Sequence, residues 1–207
     1  MLKQVQHDQE LKITMEEKIK ILAFAGSTRT GSLNKKLVRI AADAARNSGA
    51  EVTVIDLRDI PMPLYDEDLE KSEGLPAGAL KFKSLLLSHH GILISSPEYN
   101  SSISAVLKNA IDWASRPAAG EASLGCFIDK AACIMSASPG NLGGIRGLVT
   151  LRSLLGNIKV LVLPDQVAVS KADSAFAEDG KLKDTKQQIA VEKLGINLVK
   201  VLSKLNG

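Results

Sequence analysis

Apolar residues in this chain come in short runs at regular intervals, and the first run frames the rest. In IKILAFAGSTRTGSLN (residues 19–34), Ile19 and then Ile21 through Ala25 are almost continuously apolar. A strand covered on both faces has this pattern, whereas a surface strand alternates. The run stops at Gly26, which predicts a turn with positive φ, and a helix is predicted from near Lys35 with Asn34 or Ser32 as its cap. From Lys35 to Ser48 the residues Leu37, Val38, Ile40, Ala41, Ala44 and Ala45 recur at helical spacing, closed by Asn47, Ser48 and Gly49. Glu51 to Leu57 alternates enough to predict a strand nearer the sheet edge. Asp59 to Pro76 holds three of the seven prolines and much acid, and reads as a long ordered loop.

The same alternation continues. Ala77 to His89 is a predicted helix with Leu80, Phe82, Leu85 and Leu86 inward, and His89 and His90 read as end caps, where a cation suits the helix dipole. Gly91 to Ser96 is a short buried strand. Pro97 then ends the ladder and throws Glu98, Tyr99 and Asn100 outward. Ser101 or Ser102 is predicted to start a helix whose inner face is Ile103, Val106, Leu107, Ala110, Ile111 and Ala114. Trp113 reads as packing or interface, and Arg116 as a partner for a charge across a subunit contact. After an irregular connection from Pro117 to Asp129 come a strand over Lys130 to Ser136 and a Gly/Ser loop from Ser136 to Gly144. A helix from Ile145 to Leu155, a strand from Lys159 to Leu163, a loop through Gly180 and a helix from about Asp184 to Leu205 complete the chain. Five β–α units with right-handed crossovers predict an α/β, doubly wound, five-stranded parallel sheet of order 2-1-3-4-5.

Bulk properties narrow the function classes. With 207 residues, 45% hydrophobic, residues 19–207 read as one domain, and residues 1–18 as a flexible extension. The formal charge of +3 is not gathered into a basic stripe with aromatics, which argues against nucleic acid. The longest apolar stretches, such as Ile158 to Pro164, fall far short of the ~20 residues a membrane-spanning helix needs. No signal-peptide pattern is visible in residues 1–18, so a cytoplasmic location is expected. Cys126 and Cys133 match no metal spacing and no C-x-x-C pair, and read as buried thiols. No metal site is expected.

Chemistry gathers where strands end. After the first strand, Ser27, Thr28, Thr30 and Ser32 supply hydroxyls and Arg29 a cation, beside a helix N-terminus. From these residues alone two readings stand: an anion-binding nest, or a capped polar turn without a ligand. The chain has neither G-x-G-x-x-G nor G-x-x-x-x-G-K-[ST], so within the first reading a monophosphate fits better than a pyrophosphate or a nucleoside triphosphate. The Pro97–Asn100 turn is expected at the same carboxyl edge, where open α/β sheets bind ligands. It offers a tyrosine ring and an amide; a flat heteroaromatic would fit, and so would a polar loop with a tyrosine lying over it.

Gly26-Ser27-x-Arg29-x-x-Ser32-x-Asn34, together with Pro97-Glu98-Tyr99-Asn100 running through Leu107-Lys108-Asn109-Ala110-Ile111-Asp112-Trp113, resembles the NADPH-dependent FMN reductases of flavodoxin-like fold, among them bacterial quinone, chromate and azo-dye reductases. The resemblance implies that Ser27, Arg29, Ser32 and Asn34 hold the FMN phosphate. It implies that Pro97, Glu98, Tyr99 and Asn100 line the isoalloxazine and ribityl chain, and that Ser136, Ser138 and Gly140 through Gly143 and Gly144 close the far edge of the ring. Family members often carry Pro-Gly where this chain has Ser104-Ala105. The implied activity is hydride transfer from NADPH or NADH through FMN to a quinone or similar small acceptor, with no side chain as acid or base; the apolar helix ending at Trp113 and Arg116 separately predicts a homodimer or homotetramer. Two rival functions are a flavodoxin-type electron carrier, disfavoured by a pI near 8.8, and a flavin-binding interaction protein without turnover.

Overall fold

The computed structural model describes residues 18–118 and 120–205. The expectation for the N-terminal extension therefore lies, Lys18 apart, outside the described residues. Five strands, β1 (Lys20–Ala25), β2 (Glu51–Asp56), β3 (Gly91–Ser95), β4 (Ala131–Ala137) and β5 (Leu161–Val169), form one parallel sheet in the order β2-β1-β3-β4-β5. The helices are α1 (Leu33–Asn47), α2 (Glu67–Glu73), α3 (Ala77–Leu87), α4 (Ala105–Ser115), α5 (Ile145–Asn157), the single turn α6 (Ala172–Ala175) and α7 (Thr185–Leu205).

Strand side chains alternate between two cores because the pleat has a period of two. Ile21, Ala23, Leu93, Cys133 and Met135 pack with Leu37, Val38 and Ala41 of α1 and Val191, Leu194 and Leu198 of α7. Leu22, Phe24, Ile92, Ile94 and Ile134 point the other way, onto Phe82 of α3, Leu107 and Ile111 of α4 and Leu148 and Leu151 of α5. The continuous apolar runs of β1, β3 and β4 follow from burial on both faces.

Several expected boundaries move. The stretch from Asp59 to Pro76 is not all loop: α2 lies within it, capped by the Asp66 carboxylate, which accepts from the N–H groups of Asp68 and Leu69. None of its residues is buried, so it has no apolar stripe to reveal it. β5 continues past Leu163 to Val169 because a register shift opposite Ala132 and Ile134 absorbs Pro164. Arg152 of α5 donates to the carbonyls of Val162, Leu163 and Pro164, at the place where the register shifts. Helix α3 stops at Leu87, and His89 follows it with Nδ1 2.6 Å from the Leu85 carbonyl of its last turn, but burial holds the His89 pKa below the ordinary value, against the expected cation.

Trp113 is fully buried and donates its indole N–H to the Pro63 carbonyl, 2.8 Å away. Arg116 pairs within the chain, 2.9 Å from the Glu70 carboxylate and over the Tyr65 ring. Together they pin the strap after β2 onto α4. Both cysteines are free and buried; burial pushes the Cys133 thiol up to about 12.

Candidate functional site

The loops after β1, β3 and β4 meet at the carboxyl edge of the sheet because these three strands are neighbours in it. Gly26 opens the first loop. Its φ is not positive; a Cβ there would lie 2.9 Å from Leu107 Cβ, so close passage of α4 is what excludes a side chain. The Gly26 N–H donates to the Ser95 carbonyl, and Ser104 Oγ donates to the Gly26 carbonyl at 2.6 Å.

Beyond Gly26 the chain curls into a nest. Ser27 and Ser32 are largely buried, and Thr28, Arg29, Thr30 and Gly31 are exposed. Ser32 caps α1 by accepting from the Lys35 N–H, and Ser27 Oγ accepts from the Arg29 N–H. The Arg29 guanidinium folds back onto the Gly31 carbonyl through one of its N–H groups, and Arg58 reaches in from the end of β2 to bond the Thr28 carbonyl. Residues 26–34 contain hydroxyls, one guanidinium and no carboxylate. With the helix N-terminus behind them, this donor set suits a phosphate.

Asn34 is held inside the protein. Its Oδ1 accepts from the Ala137 N–H at 2.9 Å and from Ser95 Oγ at 2.8 Å, while its Nδ2 donates to the Ala137 carbonyl. The amide thus ties the ends of β3 and β4 to α1, and what this position leaves for a ligand is backbone.

The second loop is a tight turn. Tyr99 and Ser102 exchange both backbone hydrogen bonds at 3.0 Å, and Asn100 and Ser101 between them have φ of 51° and 66°. Two central residues with positive φ make a type I′ turn, which Asn tolerates and Ser adopts only at a cost. α4 therefore starts at Ala105, later than expected. Ser104 is its cap, accepting from the Leu107 N–H. Pro97 is buried, Asn100 exposed, and the Tyr99 side chain stands 59% exposed on the turn.

Glu98 turns toward α5 and joins the second loop to the third. Its carboxylate accepts from the Gly147 N–H and from the Arg146 guanidinium, both near the start of that helix. Burial pushes its pKa up, but the Gly147 N–H and Arg146 outweigh this and hold it below the ordinary carboxylate range. In the third loop Gly143 and Gly144 have φ of 62° and 92°; a Cβ on Gly144 would meet Ser136 Oγ at 2.0 Å. Ser136 is fully enclosed beneath this crossing, its hydroxyl without a hydrogen-bond partner, whereas Ser138 is half-buried and Gly140 exposed.

Sequence reasoning missed the structural parts of the site. Ser104 had a signal, since a serine three residues before Leu107 at a helix start is a cap pattern. Arg58 had none, because its contact with Thr28 spans 30 residues.

A family model described as NADPH-dependent FMN reductase matches residues 19–174. The chain is 33% identical over 198 residues to a probable NADPH:quinone oxidoreductase 2 of Oryza sativa subsp. japonica, covering 94% of each chain. It is 35% identical over 179 residues to an NAD(P)H-dependent FMN reductase of Pseudomonas aeruginosa, covering 86% of this chain and 92% of that one. Among solved structures, FerB, a flavoenzyme NAD(P)H:(acceptor) oxidoreductase from Paracoccus denitrificans, is similar with a TM-score of 0.76 and 26% identity, over 90% of this chain and 98% of that one.

Proposed function

From the premise that this chain belongs to the NADPH-dependent FMN reductase family, we propose how its carboxyl edge performs that family's work. The protein is an NAD(P)H-dependent oxidoreductase that uses FMN and passes reducing equivalents to a quinone or similar small acceptor. Ser27, Arg29, Ser32 and the backbone N–H groups leading into α1 hold the FMN phosphate, with Asn34 fixing the loop from behind. The turn of Pro97, Tyr99 and Asn100 lies along the ring and its ribityl chain. Ser138, Gly140 and Gly143 border the other edge over the enclosed Ser136. When bound, FMN supplies the redox chemistry, accepting a hydride and then yielding it.

The residues here bind, orient and exclude water. Glu98 is an ionised cap on α5 and holds the tyrosine turn against the third loop. We assign no side chain as general acid or base. The single observation that carries this reading is the adjacency of an acid-free hydroxyl nest and an exposed tyrosine on a left-handed turn, supplied by the neighbouring strands β1 and β3.

Residues 19–207 act as one flavin-binding domain. Among the described residues no helix is long and apolar enough to cross a membrane, and we assign the protein to the cytoplasm. Val149 of α5 and Leu161 of β5 are large apolar side chains left mostly exposed, which supports a homodimer or homotetramer. Light scattering giving a monomeric mass contradicts that assembly.

The test of function is turnover. Purified protein supplied with FMN oxidises NADPH when a quinone is present, and oxidises it without any partner protein, which an electron carrier of flavodoxin type does not do. Failure to bind FMN at micromolar concentration removes the proposal.

A further inference from the structure

A second cationic site borders the nest on the side facing β2. A cavity of about 300 Å³ is lined by Thr30, Gly31 and Ser32, by Lys35, Lys36 and Arg39 of α1, and by Asp56 and Arg58 from the end of β2. Ser32, Lys35, Lys36 and Arg39 stand at i, i+3, i+4 and i+7, so they share one face of the helix. The cavity contains four cations and one carboxylate, and Lys35 Nζ already takes that carboxylate at 2.5 Å. Asp56 also acts on Arg58 through space, which leaves Lys36 and Arg39 as the cations of the cavity that its carboxylate does not pair.

Placing these lysines so early in α1 runs against its dipole. The first turn carries no acidic residue, and the N-terminal end of a helix disfavours cations. One dianion in the nest answers part of this excess; the side chains around the cavity point to another. The sheet supplies the direction. Along the carboxyl edge the order is the Gly/Ser loop after β4, the Tyr99 turn after β3, the nest after β1, and then this cavity at the end of β2. Two strand spacings, about 10 Å, separate the tyrosine turn from the cavity. A dinucleotide with one end over the ring can reach it.

We propose that this cavity receives the 2′-phosphate of NADPH, with Arg39 and Lys36 as the residues that select NADPH over NADH and Arg58 as the shared wall between this phosphate and the nest. This rests on the flavin reading above for the position of the nicotinamide, but the cavity itself does not depend on it. Arg58 bonds the Thr28 carbonyl with Nε and Nη2 and so keeps Nη1 for a second anion. Lys36 lies 5.8 Å from the Phe176 ring centre, a contact that leaves its ammonium hydrogens available.

The test is calorimetric titration of the full chain, saturated with FMN, with NADP⁺ and with NAD⁺. The wild type binds NADP⁺ at least tenfold more tightly, and Arg39→Gln lowers that preference about tenfold to a hundredfold, the range of one charge-assisted hydrogen bond. Lys36→Gln lowers it less, and Arg39→Lys restores part of it. Equal affinity for the two nucleotides in the wild type, or a preference that survives both glutamine variants, overturns the assignment. So does inorganic phosphate that competes with NADP⁺ at matching concentration, which marks the cavity as a site for free phosphate. Titrating FMN by itself, and the two nucleotides without FMN, separates the two claims: absence of FMN binding sinks the flavin reading, whereas an Arg39-dependent preference for NADP⁺ persists if the cavity is the site.

Discussion

The two ends of the sheet use polar residues in opposite ways. At the amino end they close the structure. His89 is buried with Nε2 2.8 Å from Thr53 Oγ1, Lys130 is buried with its ammonium on the His89 carbonyl, and His90 Nδ1 accepts from the Lys20 N–H. At the carboxyl end many polar groups are held toward solvent by loops whose own backbone is tied down: Thr28, Thr30, Asn100 and Gly140 are exposed, and Tyr99 with them. Burying a polar group is tolerable only when it is hydrogen-bonded, so the amino end is a finished surface. The carboxyl end keeps donors for something else.

That contrast is broken most severely at Asn34, a carboxyl-end side chain used in the amino-end manner. Asn34→Ala leaves the Ala137 N–H and the Ser95 hydroxyl buried without their acceptor, so unfolding in denaturant should show a loss of about 3 kcal/mol and weaker FMN binding with it. Tyr99→Ala makes the opposite trade. The ring is exposed, so stability should stay within about 0.5 kcal/mol by the same measurement. FMN affinity, read by fluorescence quenching, should fall by about 1 kcal/mol as an aromatic contact is lost.

The smallest effect belongs to His89 and sharpens the amino-end half. Burial disfavours its protonated form, so the folded pKa lies below the unfolded value of 6.5. The unfolded chain then takes up the proton first. Stability contributed by the neutral ring is intact above 6.5 and declines as pH falls through that value toward the lower folded pKa. Thermal unfolding followed from pH 7.5 to 5 should show this decline, and His89→Gln should flatten it.

How much of this was legible in the sequence depended on whether a contact was local. β1, β3 and β4 read clearly because burial on both faces leaves an apolar run, and the strand order followed from the β–α alternation. The apolar pattern of β5 stops at Leu163, because the register shift and the remote Arg152 that carry the ladder past Pro164 leave no local trace. α2 was invisible because it buries nothing. At the site, the hydroxyls of the nest and the exposed tyrosine were evident from residue type. The roles of Asn34, Glu98 and Ser104 were not, because each is defined by a partner 49 to 103 residues away. Gly26 reads in the sequence as a positive-φ turn, but what excludes a side chain there is the approach of Leu107.

The central claim is that the loop after β1 binds a phosphate monoester, and comparing two flavins tests it most directly. Titrated against the same protein, FMN should bind at least tenfold more tightly than riboflavin, which has the same ring and ribityl chain but no phosphate. Equal affinity for the two would show that residues 27–34 contribute nothing to the phosphate, and the account would fail.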